Sequence, residues 1–130
     1  MFWNKKKDNE EENLVLKLVL DCELDKIKKW NEETFPEATL GGQLEKLEEE
    51  INEFCNAKEL EDQKKELADV FIVLGGLRRW ESKIGNMQEV RLTETMPAAV
   101  LAELLINIHK KMEINRKRVW EKSGNGKIPP

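Results

Sequence analysis

Two short stretches decide the fold of this chain: KLEEEINEF at residues 46–54 and ELADVF at residues 66–71. Residues three or four positions apart lie on the same face of an α-helix. Glu50 and Glu53 therefore share a face of one predicted helix. Glu66 and Asp69 share a face of the next. Because the polar segment between the stretches allows an antiparallel helix pair, the sequence predicts that four carboxylates meet between two helices.

The predicted acidic faces border the apolar stripes of their helices, where side chains are expected to be buried. Leu47 and Phe54 lie beside the first acidic pair, and Val70 flanks the second. Carboxylates that meet near a core repel one another and lose hydration, so a positive group is needed among them. A hard divalent cation fits best, and Mg²⁺ held by carboxylates also takes up substrate phosphates. The alternative is a solvated helix surface with salt bridges, the usual fate of Glu-rich runs.

The composition favours one helical domain. Charged residues make up 37% of the 130 residues and aromatic residues 6%, and Leu, Glu and Lys dominate, as in helical proteins. The net charge of -4 argues against general nucleic-acid binding. No apolar run approaches the roughly 20 residues that a membrane span needs, and the charged N-terminus is unlike a signal peptide. Cys22 and Cys55 show neither metal-ligand spacing nor a disulfide framework, so we predict buried thiols and a cytoplasmic location.

The periodicity along the chain predicts an all-α fold of the four-helix-bundle type. The predicted helices cover residues 14–30, about 40–57, about 60–82 and about 97–119, and residues 84–95 are predicted to form a loop. Thr39 and Thr95 are candidate caps of the second and fourth helices. The predicted domain organisation is a polar lead-in at residues 1–12, a helical domain at residues 13–120 and a tail at residues 121–130.

A second group of candidate residues lies near the end of the fourth predicted helix. Lys111, Asn115 and Arg118 are spaced along one helix face. They continue the apolar stripe of Leu104 and Ile108, so the face changes from apolar to cationic and amide. A cationic cluster near an acidic metal site suits a polyphosphate, which bridges the two. The alternative is a helix C-terminus whose cations complement the helix dipole.

The two acidic stretches together form a longer pattern, EExxE, then a gap, then ExxD. Twelve residues separate the two acidic runs, and the pattern is carried by Glu49, Glu50, Glu53, Glu66 and Asp69. Three further stretches accompany the acidic pattern: KL at residues 46–47, WNEETF at residues 30–35 and KMEINRKR at residues 111–118. In these features, which cover roughly residues 26–120, the chain resembles the all-α nucleoside triphosphate pyrophosphohydrolases of the MazG type, relatives of dimeric dUTPases and dCTP pyrophosphatases.

The resemblance implies a MazG-like fold and hydrolysis of a nucleoside triphosphate to the monophosphate and pyrophosphate, with Mg²⁺ as the cofactor and Mn²⁺ as an alternative ion. It implies that four acids ligate the metal: Glu50, Glu53, Glu66 and Asp69. Glu49 would be a further ligand or would orient and deprotonate the attacking water, so Glu49 and Glu50 are the catalytic residues it implies. The resemblance also implies a homodimer or homotetramer.

The same resemblance assigns substrate contacts. Lys111 and Arg118 would face the phosphates, and Asn115 would contact the base or the sugar. Trp30 or Phe35 would stack on the base, with a packing role as the alternative for both.

The base preference is not carried over from the dCTP-specific branch of the family. Val73 and Val119 stand near the positions where that branch carries aromatic residues. Two other activities stay open on the sequence alone. One is a non-catalytic helical module that binds nucleotide or protein, and the other is a phosphoribosyl-ATP pyrophosphohydrolase-like enzyme.

Overall fold

The computed structural model describes residues 2–3, 10–118 and 120. Those residues form α-helices and no strand, which confirms the all-α prediction. The helices are α1 (Glu10–Thr34), α2 (Leu40–Asn56), α3 (Leu60–Leu77), α4 (Lys83–Glu94) and α5 (Ala98–Lys117), with a 3₁₀ turn at Arg78–Trp80. Within the described part of the chain, no helix combines the length and the apolar character that crossing a membrane requires.

Helix α3 is the central element, since it packs against α1, α2, α4 and α5. Its large apolar side chains are buried along one broad face, which carries Leu67, Val70, Phe71, Leu74 and Leu77, and the small residues beside that face, Ala68, Gly75 and Gly76, are buried too. Full burial of one such side chain stabilises a fold by about 1.5–3 kcal/mol. The core therefore fixes α3 firmly, and with it the position of Glu66 and Asp69 in the middle of the helix.

The turn between α2 and α3 brings the two predicted acidic faces together. Thr39 caps α2, as predicted, because its hydroxyl oxygen accepts a hydrogen bond from the Gly42 N–H at 3.1 Å. Only residues 57–59 separate α2 from α3. The Gln63 side chain closes this turn by donating to the Ala57 carbonyl at 3.0 Å. Helices joined so closely must pack side by side, which places the acids of α2 next to those of α3.

The prediction of a loop at residues 84–95 is wrong, because this segment forms α4. The Ser82 hydroxyl oxygen caps α4 by accepting from the Gly85 N–H at 3.4 Å. Gly85 lies in the first turn of the helix, against Leu77 of α3, and Leu92 is buried in the core. The Gly85-Asn86 pair therefore begins a helix instead of making a turn, since tertiary burial outweighs the local preference.

Other helix ends also differ from the predicted ones. Helix α1 is longer than residues 14–30 at both ends. Helix α3 stops at Leu77, and the 3₁₀ turn at Arg78–Trp80 is followed by Glu81, whose φ is 50°. Thr95 does not cap α5, whose N-terminal residue is preceded by Pro97 with no side-chain cap. The Thr95 hydroxyl oxygen instead accepts a hydrogen bond from the Trp3 indole at 3.1 Å.

The prediction of buried thiols is also wrong, because Cys22 and Cys55 are both exposed. Each cysteine lies on the side of its helix that faces away from the core. The tail at residues 121–130, Val119 and most of the lead-in at residues 1–12 lie outside the described residues.

Close contact between α1 and α3 depends on Gly75. A Cβ atom at this position would lie 2.9 Å from Ile27 Cγ2, and the β-branched Ile27 side chain is too stiff to turn away freely. We expect Gly75→Ala to lower the free energy of unfolding by about 1–3 kcal/mol. At Gly41 in α2 an added Cβ meets nothing within 4 Å, so Gly41→Ala should raise the free energy of unfolding by about 0.5–1 kcal/mol. Urea unfolding followed by circular dichroism measures both changes, and two changes of the same sign would contradict this packing.

Candidate functional site

A cavity of about 400 Å³ lies between α1, α2, α3 and α5. It brings together residues that are far apart in sequence, including most of the predicted site: Trp30, Glu50, Glu53, Asp69, Lys111, Asn115 and Arg118. Glu66 does not line the cavity but lies in contact range of the two α2 acids at its edge. Glu49 is exposed on α2 and does not line the cavity, so its predicted role stays a prediction.

Three acids form a compact cluster at one end of the cavity. One carboxylate oxygen from each of Glu50, Glu53 and Glu66 lies within 4.8 Å of the others. The first two are one helix turn apart on α2, and the third comes from α3. Because oxygens bound to one Mg²⁺ or Ca²⁺ lie about 2.0–2.6 Å from the ion, small side-chain rotations would let all three ligate one ion.

Two oxygens in this cluster have no hydrogen-bond partner among the described residues. They are Oε2 of Glu50 and Oε2 of Glu66, and both are buried. Glu50 as a whole is only 7% exposed, and its other oxygen pairs with Lys46 Nζ at 3.1 Å. A buried acceptor without a partner costs about 1–3 kcal/mol, and more if it is charged. The unpartnered oxygens therefore point to a cation more specifically than the cluster alone does.

Burial changes the protonation of these acids. It raises the pKa of Glu50 to about 7, a rise that nearby Lys46 opposes and the negative charges of Asp69 and Glu53 increase. Burial also raises the pKa of Glu66, again with Asp69 and Glu53 acting in the same direction. Protons and a divalent cation would therefore compete for the same oxygens near neutral pH.

The fourth predicted ligand, Asp69, is already paired with a predicted phosphate-binding residue. Lys111 Nζ of α5 lies 2.7 Å from Asp69 Oδ2. Burial raises the pKa of Asp69, and the hydrogen bond and charge of Lys111 lower it again. An ammonium has three N–H donors, so Lys111 can hold Asp69 and still donate to a ligand in the cavity. The pair places one cation directly beside the acid cluster.

The other end of the cavity is aromatic. Trp30 and Trp120 line it with their ring centroids 6.2 Å apart, and Phe35 packs edge-on against both at 5.4 and 5.1 Å. The Arg118 guanidinium lies 4.3 Å from the centre of the Trp120 ring, and the Trp120 indole donates to the Asn115 carbonyl at 3.0 Å. Trp30 is thus placed in the cavity wall, whereas Phe35 supports it from behind.

Four polar or aromatic residues of the cavity wall were not among the predicted site residues: Asn31, Gln43, Lys46 and Trp120. The apolar residues Ile72, Val73 and Ile114 complete the wall. Gln43 and Lys46 lie three residues apart on the face of α2 that also carries Glu50, so helical spacing could have identified both. Asn31 had no such signal, because its side-chain oxygen accepts from Arg79 Nη1 at 2.8 Å, a residue 48 positions away. Trp120 lies beyond α5, where the periodic pattern has ended.

Comparisons of this chain with known protein families, with curated proteins and with solved structures found no match.

Proposed function

We propose that this chain is a Mg²⁺-dependent nucleoside triphosphate pyrophosphohydrolase that releases a nucleoside monophosphate and pyrophosphate. One observation carries the proposal: the carboxylates of Glu50, Glu53 and Glu66 converge beside a cavity that also holds Lys111. Glu50 and Glu66 each keep a buried oxygen that has no hydrogen-bond partner in the described part of the chain. An acidic cluster that adjoins a cationic and aromatic cavity suits a ligand with phosphates at one end and a flat ring at the other.

The carboxylates provide the ligand set for the ion. Carboxylate oxygens are ligands that suit Mg²⁺ and Mn²⁺. The buried Oε2 of Glu50, which has no hydrogen-bond partner among the described residues, would be one such ligand. A bound Mg²⁺ would polarise phosphate oxygens and lower the pKa of a water molecule. In the proposal Glu50, Glu53 and Glu66 would hold the ion, and Asp69 would supply a further oxygen beside them.

The remaining side chains orient the substrate and the water. Lys111 donates to the phosphate oxygens, on which charge builds as the bond between the α-phosphorus and the bridging oxygen breaks. The water oxygen bonds to the phosphorus, and one of its protons passes to Glu50, or to Glu49 once that exposed side chain turns towards the cavity. Asn115 and Trp30 contact the sugar or base side, where the cavity is amide-lined and aromatic. The Arg118 guanidinium lies over the Trp120 ring at that same end. It can bind the phosphates only if its side chain moves away from the ring.

The proposal includes a four-helix-bundle arrangement of the MazG type and a homodimer or homotetramer. Support for an assembly comes from an apolar stripe on α1 that the single chain leaves exposed: Leu14, Val15, Leu18 and Val19. Exposed apolar patches of this kind mark interaction surfaces. Light scattering should give the mass of two or four 15.2 kDa chains. A monomeric mass would contradict the assembly without affecting the site on one chain.

The activity is tested by incubating the protein with Mg²⁺ and a panel of canonical, deoxy and modified nucleoside triphosphates, with phosphoribosyl-ATP beside them. Pyrophosphate release that EDTA abolishes is the expected result. Preference for phosphoribosyl-ATP would assign the related activity in place of the nucleoside one. No pyrophosphate from any member of the panel would contradict the enzymatic proposal.

A non-catalytic nucleotide-binding module is the second candidate, because two of the four acids already have cationic partners. Lys46 pairs with Glu50 at 3.1 Å and Lys111 with Asp69 at 2.7 Å. In that case the cluster would be a partly neutralised polar site, and nucleotide would bind without turnover. Binding of nucleotides with no pyrophosphate release would favour the module.

Replacing Lys111 should strongly reduce the stabilisation of the transition state. We expect Lys111→Met to reduce kcat/KM about 10- to 100-fold, since a charge-assisted hydrogen bond contributes about 1.5–3 kcal/mol. Lys110→Met removes an exposed neighbouring cation that does not line the cavity and is the matched control. Steady-state kinetics of pyrophosphate release measures both variants, and equal small losses would rule out a direct role for Lys111.

A further inference from the structure

Gln43 is a buried amide without a partner in the cavity wall. The residue is 0% exposed, and neither Oε1 nor Nε2 has a hydrogen-bond partner among the described residues. Buried amides almost always form hydrogen bonds, because removing one from water without a replacement partner is unfavourable. Gln43 nevertheless lines the cavity. A side chain of this kind is suited to bind a polar group that enters the cavity.

The position of Gln43 along α2 separates it from the acid cluster. It lies seven residues before Glu50, which corresponds to about 10 Å along the helix axis. The cavity wall around it includes Trp30 and Asn31 of α1. Asn31 uses its side-chain oxygen to accept from Arg79, so that oxygen is already engaged with a group of the chain. Gln43 therefore has a donor and an acceptor without partners among the described residues, in the wall of a cavity whose other end is acidic. Both atoms are closed to solvent, so the side chain must turn before a ligand in the cavity can reach them.

The chemistry of a carboxamide restricts what it binds best. It presents one donor and one acceptor side by side, so its best partner presents an acceptor and a donor at the same spacing. The hydrogen-bonding edge of a nucleobase has this arrangement, and amides form two-point pairs with such edges. The same cavity is lined by Trp30 and Trp120, and aromatic side chains suit a planar ring as well.

We propose that Gln43 is the residue that recognises the base, through paired hydrogen bonds between its carboxamide and the Watson–Crick edge of a nucleobase. The inference rests on the proposed function for the class of ligand, a nucleotide whose phosphates lie at the acid end. It adds a specificity residue on α2 to a site whose base contacts were predicted only on α1 and α5. The two buried amide atoms then gain partners when the ligand binds.

The test uses nucleoside 5′-monophosphates in EDTA, so that neither metal nor hydrolysis enters. Each monophosphate is compared with its analogue methylated on the ring nitrogen of the Watson–Crick edge, which has the same sugar and phosphate. Tryptophan fluorescence or calorimetry gives the dissociation constants. The wild-type protein should bind at least one parent nucleotide about 10-fold or more tightly than its methylated analogue. Equal affinity within every pair, or no binding at millimolar concentration, would overturn the proposal.

Gln43→Met removes both polar atoms at nearly constant volume. This variant should lose the discrimination between parent and methylated nucleotides, while Gln88→Met, on α4 and outside the cavity wall, should retain it. Retained discrimination in Gln43→Met would overturn the proposal. The wild-type comparison needs no variant and decides the matter even if Gln43→Met does not fold.

Stability without ligand gives an independent measurement. If Gln43 binds only the ligand, Gln43→Met should raise the thermal midpoint of the free protein by a few degrees, because an unpartnered buried amide is removed. A lower midpoint would show that the amide has a structural partner, and would count against the proposal. Base discrimination without pyrophosphate release would support this role of Gln43 and contradict only the enzymatic part of the proposed function.

Discussion

Replacing Glu50 with Gln is expected to abolish pyrophosphate release and, at the same time, to stabilise the metal-free protein at pH 8. Glu50 is the most buried acid of the cluster, and one of its oxygens has no partner among the described residues. The amide keeps the shape and can still accept the hydrogen bond of Lys46 Nζ, but it provides a poor ligand for a hard cation. The loss in kcat/KM should exceed about 100-fold, since even residues that only support metal ligands contribute about 10- to 100-fold.

The gain in stability is the diagnostic part of this prediction. The raised pKa of Glu50 means that its surroundings disfavour the carboxylate even with Lys46 beside it. A neutral amide should therefore raise the free energy of unfolding at pH 8, by an amount on the order of 1 kcal/mol. Glu48→Gln is the matched control, an exposed acid on the same helix that does not line the cavity. If Glu50→Gln instead lowers stability and leaves turnover intact, Glu50 is a structural partner of Lys46 and not a metal ligand.

The second large effect is a change in how stability depends on pH when Mg²⁺ is added. The folded-state pKa of Glu50 is about 7, compared with an unperturbed value of 4.5. Between these values the folded protein holds a proton that the unfolded chain has lost, so the contribution of Glu50 to stability falls as pH rises and stays low above pH 7. The difference between wild type and Glu50→Gln in EDTA isolates this contribution from those of other groups.

A divalent cation should reverse the trend. At pH 8 the carboxylates are free to bind, and Mg²⁺ at 100 times its dissociation constant would stabilise the folded state by about 2.7 kcal/mol. At pH 5 protons occupy Glu50 and compete with the ion, so the same addition should stabilise far less. Thermal unfolding in EDTA and in Mg²⁺ at the two pH values measures the effect. A midpoint that does not respond to Mg²⁺ at pH 8 would contradict a metal site in this cluster.

Local spacing made part of the site predictable. Glu50 and Glu53 share a face because they are three residues apart on one helix, and Glu66 and Asp69 do so on the next. The Thr39 cap was predictable for the same reason, since it depends on Gly42 only three residues further on. These features need no knowledge of how the helices pack.

Tertiary contacts made the rest unpredictable. The pairing of Lys111 with Asp69 joins residues 42 positions apart, and it brings the acidic and the cationic groups of the predicted site into contact. Residues 84–95 carry Gly85 and Asn86, which favour a turn, but the burial of Leu92 holds them in α4. The sequence also does not predict that the buried Gln43 amide lacks hydrogen-bond partners among the described residues, because this depends on its surroundings in the folded chain.

Burial along α1 likewise depends on tertiary packing. Of its apolar side chains, Leu20, Leu24 and Ile27 are buried, whereas the prediction of a buried thiol at Cys22 is wrong. Leu18 and Cys22 lie on the exposed side. A stripe wider than the core it meets is typical of a helix that also packs on a second surface, in agreement with the proposed assembly.

The central claim is that acids of α2 and α3 converge around one divalent cation, and anomalous diffraction from crystals grown with Mn²⁺ tests it most directly. The account predicts an anomalous peak about 2.0–2.6 Å from carboxylate oxygens of Glu50, Glu53 and Glu66. A structure with Mn²⁺ bound elsewhere and these three carboxylates turned away from one another would contradict it.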